Sequence, residues 1–163
     1  MENHVLSVLE QAKSLEESCD AVSAIRLYNE GMNNIQKLLI QYKEDASGTN
    51  LEKVIMFTDL LKYYQDYINI IPRNLAIKAK EYDKTIAKDS TPITLEKIKS
   101  LGVSYLNACE AYLEILNSNS TCNNKLKVKL TLTEQDTQTL ITCSDRAEAL
   151  QKQVLQFGGG GSA

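Results

Sequence analysis

Apolar side chains recur at steps of three and four along nearly the whole chain, a rhythm that fits amphipathic helices and little else. Val5, Val8, Leu9, Ala12 and Leu15 make a first stripe, and Ala24, Ile25, Tyr28, Met32, Ile35, Leu38 and Leu39 a second. Between them "ESCD" breaks the pattern, with Ser18 or Asp20 placed to cap the second helix. Thr49-x-x-Glu52 has the form of a capping box and opens a third helix, expected to end near Ile71 because Pro72 follows. A short fourth helix carries Leu75, Ala79, Tyr82 and Ile86. Thr91 and Pro92 supply a cap and a first-turn residue for a fifth, with Leu95, Ile98, Gly102, Tyr105, Cys109, Tyr112 and Leu116. Beyond the polar "NSNSTCNNK", the alternating "KLKVKLTLT" reads as an extended lead-in with no partner strand. Thr131-x-x-Glu134 is the box that opens a sixth helix through Leu140, Cys143, Ala147, Leu150 and Val154.

The six helices fall into two sets. The second and fifth superpose at an offset of 77, which brings Tyr28 onto Tyr105, Gly31 onto Ala108, Met32 onto Cys109 and Ile35 onto Tyr112. The third and sixth superpose at an offset of 79, with Leu61, Tyr64, Ile68 and Ile71 on Leu140, Cys143, Ala147 and Leu150. A repeat of about 75 to 80 residues accounts for both. The expectation is an all-α protein of two consecutive three-helix bundles, at residues 1–72 and 73–157. The tail "GGGGSA", residues 158–163, reads as an engineered Gly/Ser linker of the kind that joins a domain to a fused peptide.

Composition narrows the function classes. A formal charge of −3 argues against a nucleic-acid backbone as the main partner. The basic run "KLKVKL" at residues 125–130 either touches an acidic surface or is a solvated loop. Cys19, Cys109, Cys122 and Cys143 lie far apart, without the spacing of a zinc site or a redox dithiol. Free cysteines on apolar stripes behave as small hydrophobes, so a reducing, cytoplasmic setting is expected. No apolar run approaches the roughly 20 residues of a bilayer span. His4 is the single histidine, so a Ser-His-Asp or Cys-His nucleophile has no base. Neither a phosphate-cradling glycine loop nor an H-E-x-x-H pair is present. The expectation is a non-enzyme with no cofactor and no metal.

Two details suggest contact with another helix. Gly31 sits inside a regular helix, where glycine costs about 1 kcal/mol relative to alanine. It follows Tyr28 by one turn, as Ala108 follows Tyr105, and a minimal side chain there lets an internal or foreign helix approach. The third helix also carries two apolar stripes. Phe57, Leu61, Tyr64 and Ile68 lie on one side, and Leu51, Ile55, Leu60, Tyr63, Tyr67 and Ile70 on another. One stripe suffices for an ordinary core-facing helix, so the second must meet the other repeat or a partner.

At this level the chain resembles a known family, the MIT (microtubule-interacting and trafficking) domain. "DAVSAIRLYNEGM" matches that family's second-helix signature through Ala24, Ile25, Leu27, Tyr28, Gly31 and Met32. "DRAEAL" matches its third-helix signature through Arg146, Ala147, Glu148 and Leu150. The resemblance implies a three-helix bundle that holds amphipathic MIT-interacting motifs in grooves between its helices. A tandem pair is similar to the C-terminal region of autophagy-initiating Ser/Thr kinases, which binds motifs of the kinase's regulatory subunit. Single modules bind the C-terminal tails of ESCRT-III subunits, which is the alternative client.

The implied partner groove of the first repeat lies between its second and third helices. Leu27, Gly31 and Leu38 form one wall, and Leu60, Tyr63 and Tyr67 the other. The matching groove of the second repeat sets Ser104, Ala108, Ala111 and Ile115 against Ile141, Ser144, Asp145 and Glu148. Asp145 and Glu148 are otherwise plain solvated residues, with Glu148 within reach of Lys152 or Arg146. A membrane-surface helical domain is the competing class. It would use Lys78, Lys80, Lys84 and Lys88 beside an apolar face for peripheral contact, with recruitment to autophagosome-forming or endosomal membranes. A purely structural helical repeat in a larger assembly is the remaining class.

Overall fold

The structure, a computed structural model, describes residues 2–44, 48–89, 91–121 and 132–161, with backbone alone at 49, 118–121 and 158–161. Among these residues it is all helical, with no strand. Five helices follow one another: α1 (Glu2–Glu17), α2 (Ala21–Glu44), α3 (Thr49–Lys88), α4 (Leu95–Thr121) and α5 (Glu134–Gly161). No helix is long and apolar enough to cross a membrane among the described residues.

Five helices stand where six are expected, because α3 does not stop at Pro72. A proline inside a helix removes one N–H and crowds the carbonyl four residues back, at about 3 kcal/mol. Burial on both sides offsets that loss. Ile68 and Ile71 before Pro72, and Ala76 and Ala79 after it, are all buried, and most helical stability comes from such tertiary packing. Pro72 is itself buried.

Local chemistry fixes the other ends. α1 closes with Cys19 N–H on the Glu16 carbonyl at 3.1 Å and Asp20 N–H on the Leu15 carbonyl at 2.9 Å. This is a Schellman motif whose left-handed position, φ 68°, holds a cysteine instead of the usual glycine. Asp20 then caps α2, its Oδ1 accepting from Ser23 N–H at 3.2 Å. α4 starts three residues later than Thr91-Pro92 implies. Thr94 is the cap, its hydroxyl accepting from Lys97 N–H at 3.2 Å. The box that opens α5 is Thr133-x-x-Asp136, with Asp136 N–H on Thr133 Oγ1 at 3.1 Å and Thr133 N–H on Asp136 Oδ2 at 3.0 Å. Thr131, the basic run at 125–130 and Cys122 lie outside the described residues. α4 runs to Thr121, through the start of the expected polar loop, and the backbone of α5 stays helical to Gly161, inside the glycine run.

The chain divides into two compact units. Met1–Ile70 and Leu113–Thr131 form one, and Ile71–Tyr112 and Leu132–Ala163 form the other. In the first unit the core is made by Val5, Leu9 and Ala12 of α1, Ile25, Tyr28, Met32 and Ile35 of α2, and Phe57 and Ile68 of α3. Residues 113–131 group here rather than with the second unit. Arg26 Nε, for example, donates to Glu114 Oε1 at 2.9 Å. In the second unit Ala76 and Ala79 of α3 pack with Ile98, Leu101, Tyr105 and Cys109 of α4 and with Cys143, Ala147 and Leu150 of α5.

Candidate functional site

Gly31 answers its own question inside the first unit. A Cβ built there falls 2.6 Å from Leu9 Cδ2 and 3.0 Å from Leu9 Cγ, so the missing side chain is what lets α1 and α2 approach. The helix it admits is internal. Leu38, four residues before Tyr42, is also buried. Leu27 is half-buried and borders a hollow with Ser7, Glu10, Gln11 and Ser14 of α1. The expected α2 wall of Leu27, Gly31 and Leu38 therefore faces α1 and the core, and does not assemble opposite Leu60, Tyr63 and Tyr67.

Tyr67 is also committed internally. Its hydroxyl donates to Glu16 Oε2 at 2.7 Å, and the Tyr28 hydroxyl donates to the same oxygen at 2.9 Å. One carboxylate thus ties α1 to both α2 and α3. Burial, and after it the Glu16 charge, holds both phenols well above the ordinary tyrosine range. Tyr64 stacks on Tyr28 at 5.4 Å, and Tyr63 stacks on Tyr67 at 5.9 Å from the solvent side.

Part of the second apolar stripe of α3 stays uncovered, while Leu60 and Tyr67 are half-buried. Leu51 is 56% exposed, Ile55 58% and Tyr63 58%, and Met56 beside them 53%. Tyr63, Leu60 and Met56 face α1 across a groove of about 500 Å³, with Glu2, Asn3 and Leu6 on the α1 side and Asp59 on the rim. Phe57 lies at its floor, 1% exposed. The open apolar groove of the first unit thus lies between α1 and α3. Glu2 is drawn below the usual carboxylate range by hydrogen bonds from Tyr42 and Lys53. Asp59 is exposed.

The groove expected in the second unit does not form either. Ala108, Ala111 and Ile115 are fully buried, so no α4 wall faces a partner. Ser104 is half-buried, its hydroxyl donating to the Ser100 carbonyl at 3.0 Å. Ile141, Ser144, Asp145 and Glu148 are exposed, and Glu148 pairs with Lys152 one turn on at 3.6 Å. Arg146 turns to Asp83 instead, with Nε to Oδ2 at 2.9 Å, and Tyr105 donates to that same oxygen at 2.8 Å.

A concavity of this unit lies between α3 and the first turns of α5, about 420 Å³, with a lining of mixed polar and apolar character. Arg73 holds Asp136 in a two-pronged pair, Nε to Oδ1 at 2.8 Å and Nη2 to Oδ2 at 2.7 Å. Asp136 also accepts from the Thr133 hydroxyl at 2.9 Å and from Tyr112 at 3.4 Å. Its side chain is 4% exposed, yet the Arg73 hydrogen bonds hold the carboxyl well below its usual range. Burial pushes the Tyr112 phenol up to about 12. Lys80, Ile77, Gln135 and Thr139 complete the lining. Reasoning from residues alone misses this cluster, although one signal was present. At the offset of 79, Phe57 falls on Asp136, an acid at a core position.

Among the described residues no group of three or more His, Cys, Asp or Glu is placed to hold a metal ion. No family model, no curated protein and no solved structure matches the chain.

Proposed function

We propose that the chain is a non-catalytic interaction module, a tandem of MIT-like three-helix repeats that docks amphipathic helical segments of a partner protein. The observation that carries this reading is the uncovered part of the second stripe of α3. Met56 and Tyr63, each more than half exposed, border with Leu6 of α1 an open apolar groove of the kind that receives a helix, and Ile55 is exposed on the same helix. The helix signatures quoted above favour, as partner, the regulatory subunit of the autophagy-initiation kinase complex, with the C-terminal tails of ESCRT-III subunits as the alternative client. The groove between α1 and α3 is the seat in this reading, replacing one between α2 and α3.

The test titrates motif peptides of both classes into the chain and into its Tyr63→Asp and Leu6→Asp variants. Both residues are exposed, so helicity and melting should hold while affinity falls about tenfold or more. Tyr67→Asp is the wrong probe, because it would set a second carboxylate against Glu16. The reading fails if neither peptide class binds, or if both variants bind like the parent chain.

A further inference from the structure

The two grooves differ in sign. In the first unit the rim carries the carboxylates of Glu2 and Asp59 around Leu6, Met56 and Tyr63. Lys53, which pairs with Glu2 at 3.0 Å, leaves Asp59 as the exposed charge. In the second unit's groove the lining acid, Asp136, spends its acceptors on Arg73, Thr133 and Tyr112. Arg73 commits two of its five N–H donors to that pair and keeps 40% of its side chain exposed. Lys80 is exposed at the same groove, and no carboxylate among the described residues lies within ion-pair reach of it. Ile77, 53% exposed above the buried Ala76, gives the groove an apolar patch one turn from both cations. This local excess of positive charge sits in a chain whose formal charge is −3.

We infer that the groove between α3 and α5 receives an acidic amphipathic helix of a partner. An apolar side chain of that helix rests on Ile77, and a carboxylate meets Lys80 and the free donors of Arg73. The first unit's groove, with its acidic rim, takes a segment of the opposite charge. The inference rests on the docking reading above and adds to it a rule of selection by charge, since like charges across an interface are excluded more strongly than opposite charges are rewarded.

Two synthetic helical peptides separate the possibilities. They share one apolar stripe and differ only in carrying Glu or Lys beside it. Each is titrated into the full ¹⁵N-labelled chain. The Glu peptide should shift the amides of Thr133, Gln135 and Thr139, and Lys80→Glu should weaken it about tenfold without changing the helical spectrum. The Lys peptide should shift Leu6, Met56 and Tyr63 and ignore Lys80→Glu. Selection by charge is overturned if both peptides shift the same residues, or if Lys80→Glu and Lys80→Ala leave the Glu peptide's affinity unchanged. It is equally overturned if inorganic phosphate alone reproduces the Glu peptide's shifts, which would make the site one for a free anion. If neither peptide shifts any residue, the docking reading falls and takes the selection rule with it.

Discussion

At positions 79 residues apart, matched by the sequence offset, the first unit buries Phe57 and the second buries Asp136. Phe57 needs only packing, and Tyr42 stacks on it at 6.1 Å. Asp136 needs a counter-charge and a full set of donors, which Arg73, Thr133 and Tyr112 supply. A buried position on a helix can thus be filled by an apolar ring or by a satisfied ion pair. The choice then propagates to the surface, because the groove above Phe57 is apolar with an acidic rim and the groove above Asp136 is of mixed polarity with a basic edge.

The comparison can be broken most directly at its two centres. Phe57→Ala leaves a cavity and should lower stability by about 4 kcal/mol in urea unfolding. Arg73→Ala leaves Asp136 buried beside no cation and should lose about 3 kcal/mol. Restoring an apolar pair with Arg73→Met and Asp136→Leu should recover most of that loss. If Arg73→Ala is silent, the ion pair does not do for the second unit what the ring does for the first.

Acid should separate the units next. The folded Asp136 and Asp83 carboxyls are held below their unfolded values, mainly by Arg73 and Arg146. Their stabilisation is therefore complete above the unfolded value of about 4 and is lost as pH falls through the folded values. Among the described residues of the first unit, Glu2 alone is lowered in this way, near the surface. Amide protection factors, corrected for the slower intrinsic exchange in acid, should fall first in the second unit as pH drops from about 4 towards about 2. Equal loss of protection in both units would show that the paired acids carry little stability.

Smaller effects should have opposite signs at two glycines. Gly31→Ala forces Leu9 aside and should cost about 1 kcal/mol net, the overpacking exceeding the gain in helix propensity. At Gly102 the added methyl group meets Leu150 Cβ at an ordinary 3.8 Å, so Gly102→Ala should gain up to about 1 kcal/mol. Thermal melts of the two variants should move in opposite directions. The smallest change is Cys19→Gly, which frees a left-handed residue and should stabilise by about 0.5 kcal/mol in the same melts.

Much of the architecture was legible in the residues. The inward stripes were readable because burial follows helical spacing. Ile25, Tyr28, Met32 and Ile35, like Ile98, Tyr105 and Cys109, point where the pattern places them. Pro72 was misleading, because a proline penalty is local while the burial that offsets it is tertiary. The site was legible only in part. Tyr63 and Leu60 border an open groove, but its other wall is Leu6 and Asn3 of α1, and Tyr67 is spent on Glu16. A stripe says that a face is apolar without saying which neighbour covers it.

The sequence by itself determined that this chain is helical and which faces of its helices are greasy, because side-chain direction on a helix follows from spacing alone. Tertiary structure decided that Gly31 admits α1, that Asp136 is neutralised by Arg73 63 residues away, and which apolar faces stay open. Those outcomes depend on contacts between residues distant in sequence, and spacing carries no information about such contacts.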